Sequence, residues 1–386
     1  MGWPAAVRVL SADVTIPPVR RPRPAAPIAA LLVVALAFAS ACTSSATDRA
    51  VRVAARPSVS PGPTGSPAAP TEQTVTFAFA GDVHFTGRTA ALLDDPATAI
   101  GPFAAQLGAA DLAMVNLESA VTTRGTPEPK RFHFRAPPAA YEALRAAGID
   151  VASIGNNHAL DYGRVGLADT LDAAKAAGYP VVGAGRNIDE AYAPYLTTIR
   201  GVRIAILAMS QVYELAGPWT PTATRSGIAM AHDRERSVAA VRAAREKADI
   251  VVVFLHWGTE RSNCPNEAQR SFANAMAAAG ANVVVGTHAH VPLAGGFIGR
   301  TYVHYGLGNF VWYVSNNTDS VLLEVTVSAL PGGGTDRARV TDTSITTGLI
   351  GRTGQPRPVS GSAAAGINSR LAAAQRCARL AGAATP

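Results

Sequence analysis

The sequence predicts an α/β fold, with a mixed sheet or two sheets packed together and helices covering them. Three observations predict it. Short β-branched runs alternate with helical stretches along most of the chain. Late in the chain the runs follow one another as hairpin-like strands, which adds antiparallel members to a parallel set. Asp, Glu, Asn or His stands just past the end of five runs, where ligands bind in such folds.

The ordered part opens with "TVTFAFAGD", a strand ending at Gly81–Asp82. Residues 97–109 read as helical and lead to "LAMVNLE", a strand ending at Asn116 and Glu118. "PPAAYEALRAAG" starts a helix at a proline and stops it at Gly148. "IDVASIGNNH" is a strand ending at Asn156, Asn157 and His158, followed by a helix over about 163–177 and by "YPVVGAG". "PYLTTIRGVRIAILAMS" reads as a hairpin turning near Arg200–Gly201. Residues 232–247 are helical, "DIVVVFLHWG" is a buried strand ending at His256, and 265–279 are helical. "ANVVVGTHAH" ends in His288 and His290. "TYVHYGLGNFVW", "SVLLEVTV" and "ARVTDTSITT" read as further strands, and residues 362–381 as a helix.

The 386 residues, 48% hydrophobic, suffice for one large domain or two small ones. One domain over 73–350 with a tail over 351–386 is the simplest division. Residues 1–41 read as a signal peptide. Arg20, Arg21 and Arg23 precede "PIAALLVVALAFASA", which is shorter than a usual membrane span. Ala39, Ser40 and Ala41 directly before Cys42 resemble a bacterial lipoprotein signal, with Cys42 the lipidated residue; ordinary secretory cleavage nearby is the alternative. Residues 42–72 are rich in Pro, Ser, Thr and Ala and read as a disordered tether. These features predict an exported protein, lipid-anchored to the outer face of the cell membrane. There Cys264 and Cys377 either pair in a disulfide or stay as buried thiols. Removing residues 1–41 takes away four Arg and one Asp, so the net charge falls from +7 to +4. The basic balance is then a poor argument for nucleic acid, and no nucleic-acid partner is expected.

The strand-end residues are Asp82, His84, Glu118, Asn157, His158, His256, His288 and His290. Each has an ordinary reading: Asp82 as a helix cap, Asn157 in an Asx turn, His256 as a core histidine. Together they suit Zn, Mn or Fe, and a carboxylate can bridge two such ions. No cysteine joins them, and no Gly-x-Ser-x-Gly elbow or Walker loop is present, which argues against a thiolate zinc site, a serine hydrolase and a nucleotide kinase. Glu260 after His256 and Arg88 after the first strand are candidate substrate contacts, or a solvated carboxylate and a helix start.

The stretches "FAGDVHFTGR", "NLESAVT", "FRAPPAAYEALRAAGIDVASIGNNHALDYGRVGLADTL", "VVVFLHWGTE", "VVVGTHAHVP" and "YGLGNFVW" resemble the CapA family of poly-γ-glutamate capsule biosynthesis proteins over about 75–313. That family is similar to calcineurin-like metallophosphoesterases. The resemblance implies an αββα sandwich, two packed mixed sheets flanked by helices, holding two divalent transition-metal ions (Mn, Zn or Fe). It implies Asp82, His84 and His290 on one ion, Asn157, His256 and His288 on the other, and Glu118 between them. His158 would be the acid for the leaving group, oriented by Asp161. Many family members carry Met in place of His84, and a His-Pro-His motif with a following Gln where this chain has Ala289 and Leu293. The implied function is a hydrolase-type site, for a phosphoester or a γ-glutamyl amide, in surface-polymer biosynthesis or processing. Its partners would be an anionic envelope polymer or its precursor, the membrane through the lipid, and membrane polymer-synthase proteins. The alternative is a non-catalytic accessory factor that assembles, exports or retains such a polymer.

Overall fold

The computed structural model describes residues 71–313 and 318–385. The signal segment, Cys42 and all but the end of the tether lie outside the described residues. No described helix is long and apolar enough to cross a membrane.

The main elements run β1 (Gln73–Val83), β2 (Leu112–Leu117), α1 (Ala139–Ala146), β3 (Val151–Ser153), α2 (Gly163–Ala177), β4 (Val181–Val182), β5 (Tyr195–Ile199) and β6 (Val202–Ser210). They continue with α3 (Arg234–Arg245), β7 (Ile250–His256), α4 (Glu267–Ala279), β8 (Val283–Thr287), β9 (Gly295–Ile298) and β10 (Thr301–His304). Last come β11 (Asn309–Val311), β12 (Asp319–Ala329), β13 (Arg339–Ile350), β14 (Pro356–Pro358) and α5 (Gly361–Ala378). One sheet has the order β14-β13-β12-β1-β2-β3-β4, with β11 also on β1. The other has the order β9-β10-β8-β7-β6-β5. Both are mixed: β1 to β4 are parallel neighbours, as are β6, β7, β8 and β10, while β12, β13, β14, β5 and β9 join antiparallel.

Strand alternation builds the layers. Val75, Phe77 and Phe79 of β1 and Val321, Leu323 and Val325 of β12 pack with Ile204, Ile206, Val252, Phe254, Val283 and Val285 of the other sheet. Intervening residues face outward. Ala78, Ala113 and Val115 meet Tyr141, Leu144 and Leu167 of α1 and α2. Leu207, Val253 and Val284 meet Val241 and Phe272 of α3 and α4. Each fully buried Val, Leu, Ile or Phe contributes about 1.5–3 kcal/mol, so this central layer is a large source of stability.

Two expectations are corrected. Residues 97–109 are not a helix: tight 3-10 turns at Pro96–Thr98 and Gly101–Phe103 precede a single α turn at Ala104–Leu107. Pro96 and Pro102 bring no backbone N–H, and Gly101 has φ 78°, so a regular helix cannot run through them. "TYVHYGLGNFVW" is two strands in different sheets, with the chain passing from β10 to β11 through Gly306 and Gly308. Elsewhere local chemistry sets the ends. Asn266 and Gln269 form a capping box on α4, and Gly178 closes α2 at φ 58°.

His304, at the end of β10, is fully buried, and neither ring nitrogen has a hydrogen-bond partner among the described residues. Burial holds its pKa at about 4. The unfolded chain takes up that proton near the usual 6.5 and the native one does not, so the contribution of His304 is present above pH 6.5 and lost as the pH falls toward 4. The span corresponds to roughly 3 kcal/mol. Urea titrations of His304→Leu and wild type at pH 7.5 and 4.5 should show a smaller loss in the variant by that order. An equal loss in both would assign the acid sensitivity to other groups.

Candidate metal centre

The centre forms where the carboxyl ends of both sheets meet. β1 and β2 stay in parallel register to Phe79–Met114, but the next pair is Asp82–Asn116, three steps on β1 against two on β2. This bulge turns Asp82 onto the face that Asn116 shares with Met114, toward the second sheet. Gly81 permits it: the Gly308 carbonyl lies against its backbone, and a Cβ there would stand 1.9 Å from that oxygen. Asp82 N donates to the same carbonyl at 2.9 Å.

A chain of amides then locks the strand ends. Asn116 Nδ2 donates to Asp82 Oδ1 at 2.8 Å, and Asn156 Nδ2 donates to Asn116 Oδ1 at 2.9 Å. Asn156 Oδ1 accepts from His158 N at 2.9 Å. Across the sheets, His288 N donates to Asp82 Oδ2 at 3.1 Å. His288 and His290 hold φ of 85° and 56°, a left-handed conformation uncommon for histidine. The loop after β7 supports their turn, with Arg261 N donating to Ala289 O at 2.7 Å. Cys264, on that loop, is joined by a disulfide to Cys377 of α5.

Ligand atoms of Asp82, Glu118 and His256 lie within 4.8 Å of one another, and so do those of Glu118, His288 and His290. Glu118 belongs to both groups. Among these residues His290 Nδ1 stands 3.4 Å from Asp82 Oδ2, nearer than His256 Nδ1 at 3.9 Å from Asp82 Oδ1, and His288 Nδ1 lies 3.1 Å from His256 Nε2. Asn157 joins through His256, whose Nε2 lies 2.8 Å from its Oδ1. His84 enters neither group. Its Nδ1 accepts from Thr86 N at 3.1 Å, its Nε2 has no partner among the described residues, and its ring stacks on Phe134 at 4.4 Å. Arg88 is exposed and its guanidinium comes to 3.5 Å of Trp312 O. Glu260 is exposed, yet its charge reaches Glu118.

The electrostatics are those of a deeply buried cluster of carboxyl and imidazole groups. Glu118 is fully buried, and neither of its oxygens accepts a hydrogen bond from a described residue. Burial, then the Asp82 charge, pushes its carboxyl well above the usual range. Burial drives His256 and His288 well below the ordinary histidine range, with neighbouring histidines adding to it. Both are neutral, the form that offers a lone pair to a metal. An orphaned buried carboxylate among neutral imidazoles is the donor set a divalent cation satisfies.

Beside it, His158 Nδ1 meets Asp161 Oδ2 at 2.6 Å, and His158 Nε2 faces Glu118 Oε1 at 3.7 Å. Burial raises Asp161 to about 6, against the charge of Lys130. Phe134 stacks on His158 at 4.0 Å. Sequence reasoning had not assigned Asn116, Asn156, Lys130, Phe134 or Glu214 to the site. The asparagines stood at strand ends and could have been found there. Lys130 and Glu214 lie in loops without periodic pattern.

The model of the family described as "Bacterial capsule synthesis protein PGA_cap" matches residues 76–313. The chain belongs to this family. The matched span contains Asp82, Glu118, His158, His256, His288 and His290. This PGA_cap chain is 33% identical over 244 residues to the PGA biosynthesis protein CapA of Bacillus subtilis, covering 61% of this chain and 62% of that one. It is 30% identical over 212 residues to a Mycobacterium tuberculosis protein named "Probable polyglutamine synthesis accessory protein", covering 53% and 56%. The chain thus spans less than two thirds of the length of these relatives. Among solved structures, a calcineurin-like phosphoesterase of Bacillus subtilis aligns over 79% of this chain and 98% of its own at 11% identity and TM-score 0.43.

Gly81→Ala forces a Cβ into the Gly308 carbonyl, so the strand end must move. The expected loss is about 3 kcal/mol in denaturant unfolding. A variant within 0.5 kcal/mol of wild type, a change ordinary at unconstrained surface positions, would show that the bulge does not depend on this contact.

Proposed function

We propose that this PGA_cap protein carries a two-metal, hydrolase-type site that acts in the biosynthesis or processing of a poly-γ-glutamate-like capsular or surface polymer. The observation that carries the reading is Glu118, buried, unbonded and common to both candidate ligand groups. The chemistry suits two divalent transition-metal ions, Mn, Zn or Fe, held by Asp82, Glu118, His256, His288 and His290 with Asn157 and His84 beside them. Such ions supply Lewis acidity at the bond to be broken.

The chain's own groups do the rest. Asp161 holds His158 with Nδ1 toward its carboxylate, so Nε2 is the nitrogen that faces the centre; once Nε2 has taken up a proton there, the charged ring, steadied by Asp161, hands it to the departing oxygen or nitrogen. Phe134 stacks on His158, and Trp312 packs against Phe134 and His290, so both rings wall the site. Arg88 and Glu260 at the rim would meet charged groups of an acidic, amide-linked polymer. The site would work outside the cell, anchored by lipid at Cys42, beside membrane polymer-synthase proteins and an anionic polymer or its precursor. The wording of the Mycobacterium tuberculosis relative's name favours a second reading, a non-catalytic accessory factor that handles the polymer.

Elemental analysis of the chain, purified without chelator, beside Asp82→Ala, His288→Ala and Glu118→Gln separates these. The expected result is close to two ions per wild-type chain and clear loss in all three variants. Glu118→Gln should also raise the stability of the metal-free chain by about 1 kcal/mol or more at neutral pH, because the buried carboxyl must take up a proton on folding and the amide need not. A screen of phosphoesters and γ-glutamyl amides should then find turnover that His158→Gln lowers about a hundredfold or more. A wild-type chain that holds no metal and takes up neither Mn nor Zn would sink the hydrolase reading and leave the accessory one.

A further inference from the structure

Lys130 lies in the loop between β2 and α1, and only 1% of its side chain is exposed. Its ammonium is 2.9 Å from Asp161 Oδ1 and 3.0 Å from Glu214 Oε2, and it donates to the backbone carbonyl of Asn157. A buried ammonium costs several kcal/mol unless it is paired, so its place here needs a reason. Two of these contacts, Asp161 and the Asn157 carbonyl, fall on the one turn that carries His158. Asp161 Oδ1 takes Lys130, while Asp161 Oδ2 takes Phe134 N at 2.6 Å and His158 Nδ1 at 2.6 Å. Phe134, four residues beyond Lys130, stacks on the His158 ring. Lys130 thus grips His158 by two routes, through the carboxylate on its edge and through the loop whose aromatic ring covers its face.

We propose that Lys130 is the positioning residue for His158: its buried charge fixes Asp161 as an acceptor, which holds His158 in the Nδ1–H form with Nε2 presented to the centre. This rests on the assignment of His158 as the group that moves a proton at Nε2: the Nδ1–H form leaves Nε2 bare to take up the proton that the charged ring then gives to the departing atom. Without the ammonium, Asp161 Oδ1 is a buried carboxylate oxygen with no cation beside it. The carboxyl then gains a proton or turns away, and the imidazole loses the partner that selects one tautomer. Glu214 is a lesser partner, with 41% of its side chain exposed, and serves to close the outer side of the ammonium.

The test reads the tautomer directly and needs no substrate. The full chain is labelled with 15N-histidine and loaded with Zn, and His158 is assigned by the signals lost in His158→Gln. Wild type should show one protonated and one bare ring nitrogen. Lys130→Met should keep the wild-type Zn content and draw both shifts to intermediate, exchange-averaged values, whereas Lys130→Arg should restore the separation. Should Lys130→Met fail to fold, Lys130→Gln, which still donates but bears no charge, carries the same expectation. A single tautomer that survives in the neutral variant would overturn the proposal and leave Lys130 a structural ion pair. Loss of Zn in that variant would also overturn it, because the lysine would then act through the Asn157 carbonyl on the metal ligands. A wild type that takes up no Zn, but whose His158 tautomer still depends on Lys130, would defeat the two-metal reading and spare this one.

Discussion

A carboxylate that no described donor satisfies, Glu118, sets the terms for the rest of this structure. Burying a carboxyl without a partner costs stability whether it keeps its charge or takes up a proton, and no described residue relieves Glu118 with a hydrogen bond. The fold surrounds Glu118 with neutral histidines and a second carboxylate instead. Such an arrangement keeps lone pairs uncommitted, at a cost in stability that the apolar layer between the sheets must cover. Stability and site are therefore separate in space: Phe77, Phe79, Phe254 and Val285 make the layer, and the polar residues occupy its open edge.

What holds that edge in register is a set of hydrogen bonds from uncharged amide donors. Asn116 and Asn156 carry position from strand to strand, and the His288 amide ties the second sheet to Asp82. Amides suit this task, since each offers both donor and acceptor and adds no charge to a place already crowded with carboxylates. The bulge at Gly81–Asp82 and the left-handed histidines are local departures from regular geometry, both at the site, where such strain concentrates.

Most of the layers were legible in the sequence because period-2 and helical patterns survive burial, as in "TVTFAFAGD" and the α2 segment, whose observed bounds are Gly163–Ala177. The segment at 97–109 misled because its Ala-rich composition favours a helix while Gly101 and two prolines forbid one. The passage of "TYVHYGLGNFVW" between sheets was hidden because each half has strand character and only the pairing partners differ. At the site, residues at strand ends could be listed from the sequence, since a strand end marks a place. Which histidine stands beside which carboxylate could not, because that depends on packing between sheets. Lys130 was illegible for another reason: a loop lysine reads as solvated until a buried carboxylate is found beside it.

The disulfide from Cys264 to Cys377 has a topological consequence. It closes a ring of chain that spans 113 positions and includes β8, both histidines of the His288–His290 turn, the crossing from one sheet to the other, and Asn309. A single peptide-bond break anywhere within that ring leaves both pieces covalently joined. A molecule nicked by a protease in an exposed loop of that ring would still carry the histidine turn on the same scaffold as Asp82.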